Sequence, residues 1–199
     1  TKDYFLASVK GTILSEYQDA KIIDVSHEVD PFDISQAAFI LKNCYTDFPK
    51  GTIHIIGINP EISVEVNHVL VKHNEHYFIG ADNGIFSLLF DEIPKEIFEL
   101  SIEQSTDDLT FPMRDVFVKA ACHLLRGGTP ELISKKQSTL KQVMAFQPVI
   151  NEDSIRGTVI YIDSYGNIIT NITLSKFKSV GKNRDFSIYF SSIETINSI

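Results

Sequence analysis

At 199 residues, of which 43% are hydrophobic, the chain can bury a sizeable core, in one large domain or in an ordinary domain with a small appendage. A mean hydropathy of +0.01, with no apolar run near the roughly 18 residues a membrane span needs, excludes a membrane-helix protein. The formal charge of −8 argues against nucleic acid as a partner and is compatible with a cationic small molecule. Cys44 and Cys122 lie far apart with no CxxC spacing, so neither a zinc ribbon nor a disulfide framework is indicated, and a reducing cytoplasm is the expected location. No signal peptide is visible, although the chain opens on Thr1 without an initiator Met, which points to sequence upstream.

Residues 3 to 17 predict a helix, with Phe5, Leu6, Val9, Ile13 and Leu14 near helical spacing; Gly11 inside it costs about 1 kcal/mol against Ala, which points to close packing. Lys21 to Ser26 predicts a strand. A second helix begins at Asp33, whose carboxylate can cap it while Gln36 closes the capping box and Phe32 staples onto Ala37. Thr52 to Ile58 reads as a buried strand, and Val69–His73 with His76–Gly80 as a hairpin around Asn74-Glu75. Ala81-Asp82-Asn83-Gly84 then turns the chain into a helix through Phe90, and a short strand follows near Ile97 to Ser101. Met113 to Arg126 reads as a helix with Val116, Phe117, Ala120 and Leu124 on one stripe, stopped by Gly127-Gly128 and Pro130. The linker runs to about Pro148, and from Gly157 onward only strand-like pieces occur. Residues 1–147 therefore predict a layered α/β domain with a largely parallel sheet. Residues 148–199 predict a small β domain that breaks off at Ile199 before closing.

The run from Tyr161 to Ile172 brings a carboxylate, Asp163, an aromatic ring, Tyr165, and an amide, Asn167, to one sharp turn. Such a cluster suits a small polar ligand, but Asp, Gly and Asn are also ordinary hairpin residues. His68, His73 and His76 invite a metal reading, yet no carboxylate or Cys is spaced to complete the set, so no metal site is assigned. There is no G-x-S-x-G nucleophile elbow. Neither phosphate-cradling glycine pattern occurs, and the Gly127-Gly128 pair follows a helix instead of opening one.

Several segments match one pattern in order: Lys10-Gly11, Ile23-Asp24-Val25-Ser26-His27 through Pro31-Phe32-Asp33-Ile34, Phe48-Pro49-Lys50-Gly51-Thr52, Asp82-Asn83-Gly84, Thr110-Phe111 with Arg114-Asp115, and the Tyr161–Ile172 run. Along nearly its whole length the chain resembles the S-adenosylmethionine hydroxide adenosyltransferase family, relatives of fluorinating and chlorinating enzymes that use the same substrate. The resemblance implies an α/β N-terminal domain, a C-terminal β-barrel, and a homotrimer whose sites lie between one subunit's N-terminal domain and its neighbour's C-terminal domain. It implies a small adenosyl ligand as partner, without a cofactor. It further implies that Asp3 and Asp163 face the amino-acid end of the ligand, that Tyr165 and Asn167 receive its adenosyl part, and that Phe32 and Phe111 lie near the ribose. In the family, a strand just before Thr1 carries an Asp for the ribose hydroxyls, and the end of the barrel helps hold adenine.

The chain departs from the hydrolytic members at the three positions that manage the water. Asn59 replaces the Asp of a Val-Asp-Pro-Gly-like loop, Val66 or Asn67 falls where an Arg is expected, and Pro112 stands where the His of Thr-Phe-His-Gly-Arg-Asp would be. An amide is no general base near neutral pH, and Pro has no side-chain proton acceptor. The small hydroxyl residues of the halogenating relatives are matched by Ile62 and Met113, with Ser63 in place only if the loop slips by one residue. Glu61 and Glu65 are the nearby acids that could substitute as a base. Two readings remain: an enzyme converting S-adenosylmethionine and water to adenosine and methionine, and a non-catalytic module that binds the same ligand.

Overall fold

The computed structural model describes residues 4–61, 66–102, 111–190 and 195–196. The chain divides into two compact units, Thr1–Met144 and Ala145–Ile199. The first holds a five-stranded sheet in the order β1-β3-β2-β4-β5, formed by β1 (Ile53–Ile55), β2 (His68–His73), β3 (His76–Ala81), β4 (Glu96–Leu100) and β5 (Ser134–Gln137). Side chains alternate across the sheet. Val69, Val71 and Phe78 face α2 (Ile34–Lys42) and α3 (Ile85–Leu89), whereas Leu70, Ile79 and Phe98 face α4 (Val118–Leu125). Helix α1 (Phe5–Glu16) packs Val9 and Ile13 onto Val118 and Cys122 of α4. The result is a sheet with helices on both faces.

The type I′ hairpin joining β2 to β3 puts both Asn74 (φ 49°) and Glu75 (φ 63°) in the left-handed region, the backbone that a two-residue connection of twisted strands needs. Helix α2 starts where its capping chemistry places it, with the Asp33 carboxylate accepting from Ser35 N at 3.0 Å and Gln36 N at 2.9 Å. Gln36 reaches back to Asp30 N at 2.7 Å, not to the cap's own amide. The staple from Phe32 does not form, because a left-handed backbone (φ 67°) turns its ring away and leaves it 73% exposed.

Four further expectations give way. The sheet is mixed rather than largely parallel: among the described residues β1–β3 is a parallel pairing, and β2–β3, β2–β4 and β4–β5 are antiparallel. Its order follows from the β2–β3 hairpin, which turns the chain straight back on itself. Lys21–Ser26 is irregular, with Ile23 and Val25 exposed; apolar residues do not make a strand without a neighbour to bond. The linker contributes β5, an edge strand of Ser-Lys-Lys-Gln with the lysine content that protects such edges. The second unit contains a helix, α5 (Leu174–Gly181), begun by the Thr173 hydroxyl accepting from Lys176 N. Its other elements are three two-stranded ladders, β6 (Val149–Ile150) with β7 (Ile155–Arg156), β8 (Val159–Ile162) with β9 (Ile168–Thr170), and β10 (Ile188–Tyr189) with β11 (Thr195–Ile196). No closed barrel is present among the described residues, nor any helix long and apolar enough to cross a membrane.

His68, His73 and His76 each pack against an aromatic ring. His68 lies on the α4 face against Phe117, while His73 and His76 point to the other face, so the three do not converge. His76 Nδ1 sits 3.2 Å from Nε2 of His54, which is 6% exposed and boxed by Tyr45, Phe48 and Phe78. Burial, assisted by the neighbouring His76, pushes the His54 imidazole down to about 4.

Candidate functional site

The carboxyl end of β1 continues as Ile56, Gly57, Ile58, Asn59 and Pro60, and three parts of the first unit close around it. From the β3–α3 turn, Asn83 Nδ2 donates to Ile58 O at 2.9 Å and to Asn59 O at 3.3 Å. In the same turn Asp82 N donates to Asn67 O at 2.7 Å. Consecutive residues of one turn thus hold the backbones of Asn59 and Asn67, whose side chains are exposed. His68, whose pKa burial lowers, places Nε2 2.8 Å from Pro60 O. Asn59 itself is left-handed (φ 46°), a backbone that Asn tolerates better than most residues.

The third part is the start of the α4 segment. Pro112 is buried and precedes a π-helical turn, Met113–Phe117, in which Val118 N bonds to Met113 O. π-Turns inside helices are frequent at functional sites. Met113 covers Gly57 so closely that a Cβ on that glycine would stand 2.1 Å from Met113 Sδ. Pro112 is thereby tied to the same strand end as Asn59 and Asn67. Next to it the Phe111 ring meets Phe5 edge-on at 5.0 Å and carries the Arg114 guanidinium at 5.2 Å. Arg114 forks onto buried Asp115, Nε to Oδ1 at 2.8 Å and Nη2 to Oδ2 at 3.2 Å, an arrangement that fixes its plane over the ring. Asp3, Thr110, Ile62, Ser63 and Glu65 lie outside the described residues.

In the second unit the β8–β9 turn is closed by its own carboxylate. Asp163 Oδ1 accepts from Tyr165 N at 2.9 Å and Asn167 N at 2.8 Å, and Oδ2 accepts from Asn167 Nδ2 at 2.7 Å. The Asn167 side chain, followed by the backbone amides, holds the Asp163 carboxyl below its usual range. Gly166 takes φ 84° and Tyr165 projects with 90% of its surface exposed. Hairpin and ligand readings therefore share residues: Asp163 and Asn167 bond to each other, and the Tyr165 ring takes no part in the turn.

Among the described residues Phe32 is the bulkiest with a positive φ, a conformation that costs on the order of 1–3 kcal/mol in a non-glycine residue. Phe32→Gly is expected to raise stability to urea by about 1 kcal/mol. Urea unfolding curves of the two proteins check this, and an unchanged midpoint would mean that the left-handed backbone of Phe32 stores no strain.

Asn83 and His68 are the residues that reading the sequence did not place here. Asp82-Asn83-Gly84 was legible as a turn, but its reach to Ile58 and Asn59 crosses 24 and more positions and leaves no local signal.

Residues 1–134 match the S-adenosylmethionine hydroxide adenosyltransferase N-terminal domain, and residues 157–198 match the C-terminal domain of the same family. An (R)-S-adenosyl-L-methionine hydrolase from Methanocaldococcus jannaschii is 31% identical over 86% of this chain and 63% of its own length, so the chain spans less than two thirds of that relative. A fluorinase from Actinopolyspora mzabensis is 24% identical over 91% of this chain and 71% of its own. The crystal structure of a conserved protein from Thermotoga maritima superposes with a TM-score of 0.80 at 26% identity, covering 94% of this chain and 73% of that one. With both domains matched in order, the chain belongs to the S-adenosylmethionine hydroxide adenosyltransferase family.

Proposed function

We propose that this protein binds S-adenosylmethionine and converts it, with water, to adenosine and methionine. The observation that carries the reading is the match of both family domains along the chain, together with a 31% identical relative named as an S-adenosylmethionine hydrolase. The water oxygen bonds to C5′ of the ribose. The C5′–S bond breaks, and its electron pair returns to sulfur, so the sulfonium leaves as neutral methionine thioether and one proton passes to solvent. The leaving group is already activated, so the step needs neither a metal nor an acid. The enzyme's task is to hold water in line behind C5′, an arrangement worth several orders of magnitude.

On this reading Asp3 and Asp163 face the ligand's ammonium, Tyr165 and Asn167 its adenosyl part, and Phe32 and Phe111 its ribose. Asn59 and Asn67, at the carboxyl end of β1, orient water by hydrogen bonding, and Pro112 supplies an apolar wall. The protein works without a cofactor as a cytoplasmic homotrimer, its C-terminal unit forming part of a barrel and its sites shared between subunits.

Incubation with S-adenosylmethionine followed by chromatography tests the activity. Adenosine no higher than a protein-free control sinks it, and binding without turnover leaves the non-catalytic module that the amides at 59 and 67 also allow. Glu61 is exposed, so Glu61→Gln is expected to keep kcat within about twofold. A loss of about 100-fold would make Glu61 the base.

A further inference from the structure

We infer that Asn83 is a positioning residue for this reaction, clamping the Ile58–Pro60 loop from behind so that the Asn59 amide is presented in one fixed place; the inference rests on the proposed hydrolysis. Three consecutive carbonyls, those of Ile58, Asn59 and Pro60, are captured by two side chains from separate elements, Asn83 and His68. An Asn amide has two N–H donors, and Asn83 directs them at two neighbouring carbonyls. Its Oδ1 meanwhile accepts from Ile85 N at 3.2 Å in the first turn of α3. The orientation is thereby locked, because a flipped amide would turn Oδ1 onto two carbonyl oxygens. The adjacent Asp82 N secures Asn67 in the same way.

Such a clamp matters where the residue it holds carries no charge. A carboxylate attracts and polarises water over some distance, whereas an amide acts through the direction of a hydrogen bond. Misplacement by about 1 Å can cost on the order of 100-fold in rate. The left-handed backbone of Asn59 adds to the need, since a released loop would relax toward commoner conformations.

Asn83→Asp separates the clamp from the fold, because its carboxylate still accepts from Ile85 N while presenting no donor to the loop. Amide exchange at Asn59 and Glu61 is expected to quicken about 10-fold with the melting temperature within about 3 °C of wild type. kcat is expected to fall about 10-fold with KM within about twofold. His68→Phe, which keeps the ring against Phe117 and frees only Pro60, is expected to show a smaller shift of the same kind should the first variant fold poorly. Unchanged exchange overturns the clamp, and faster exchange with unchanged kcat, or with the loss confined to KM, overturns the positioning role. A wild type that releases no adenosine sinks the hydrolase reading on its own, and the exchange comparison still decides the clamp.

Discussion

Asp163→Ala is expected to weaken S-adenosylmethionine binding by about 100-fold or more, and Asp163→Asn by only about 10-fold. The difference follows from the two tasks that the proposed function gives one carboxylate. Asp163 Oδ1 holds the amides of Tyr165 and Asn167, and Oδ2 holds the Asn167 side chain. Ala removes all three bonds and frees the turn that carries Tyr165. An Asn side chain keeps the Oδ1 acceptor, so the turn survives and the countercharge to a cationic ligand is lost. Calorimetry with the full-length protein distinguishes the cases. Wild-type affinity in Asp163→Asn would confine the carboxylate to the hairpin, and equal losses in both variants would make charge its whole contribution.

Acid is expected to remove about 3 kcal/mol of stability through His54 alone. The unfolded imidazole titrates near its ordinary 6.5 and the folded one at about 4. Between those values the unfolded chain binds more protons, so stability rises with pH. The contribution is complete above 6.5, is reduced by about 1.4 kcal/mol at pH 5.5, and is lost as pH falls through about 4. His76, His68 and His73 are shifted in the same direction by burial, which steepens the fall. Urea midpoints at pH 7.5 and 5.5 isolate the effect, since most carboxylates remain ionised across that interval. A His54→Phe, His76→Phe double variant is expected to lose much of the difference between the two midpoints. An undiminished difference would place the proton uptake elsewhere.

What the sequence made legible was local. Asp33 caps α2 through amides two and three residues away, and the Asn74-Glu75 turn starts on an Asn, which tolerates the left-handed backbone it needs. Helix α5 carried a comparable signal, Thr173 ahead of Leu174 and Phe177, but its lysines and strand-like neighbours masked the periodicity. Strand β5 had no apolar alternation to find, because an edge strand of Ser-Lys-Lys-Gln draws its order from β4. Lys21–Ser26 erred the other way, with strand-like residues and no partner among the described residues to bond. For the candidate site, the family resemblance marked Asn59, Val66 or Asn67, and Pro112 as the positions where the chain departs from the hydrolytic members. The contacts joining them at the end of β1 run through Asp82, Asn83 and Met113 and depend on tertiary placement.

The π-turn at Met113–Phe117 also limits how this protein can change in length. A π-turn is a helix with one residue too many, so a single deletion there would restore regular winding and even gain helical regularity. Because the wide turn takes up the extra residue locally, the flanking segments, Phe111 and Pro112 on one side and α4 on the other, would keep roughly their places. Substitutions within the turn alter one side chain at a time, whereas a further inserted residue, with the wide turn already used, would rotate the approach to the site by about 100°. Among descendants of this sequence, the segment between Phe111 and Val118 should therefore shorten by one residue more readily than it lengthens.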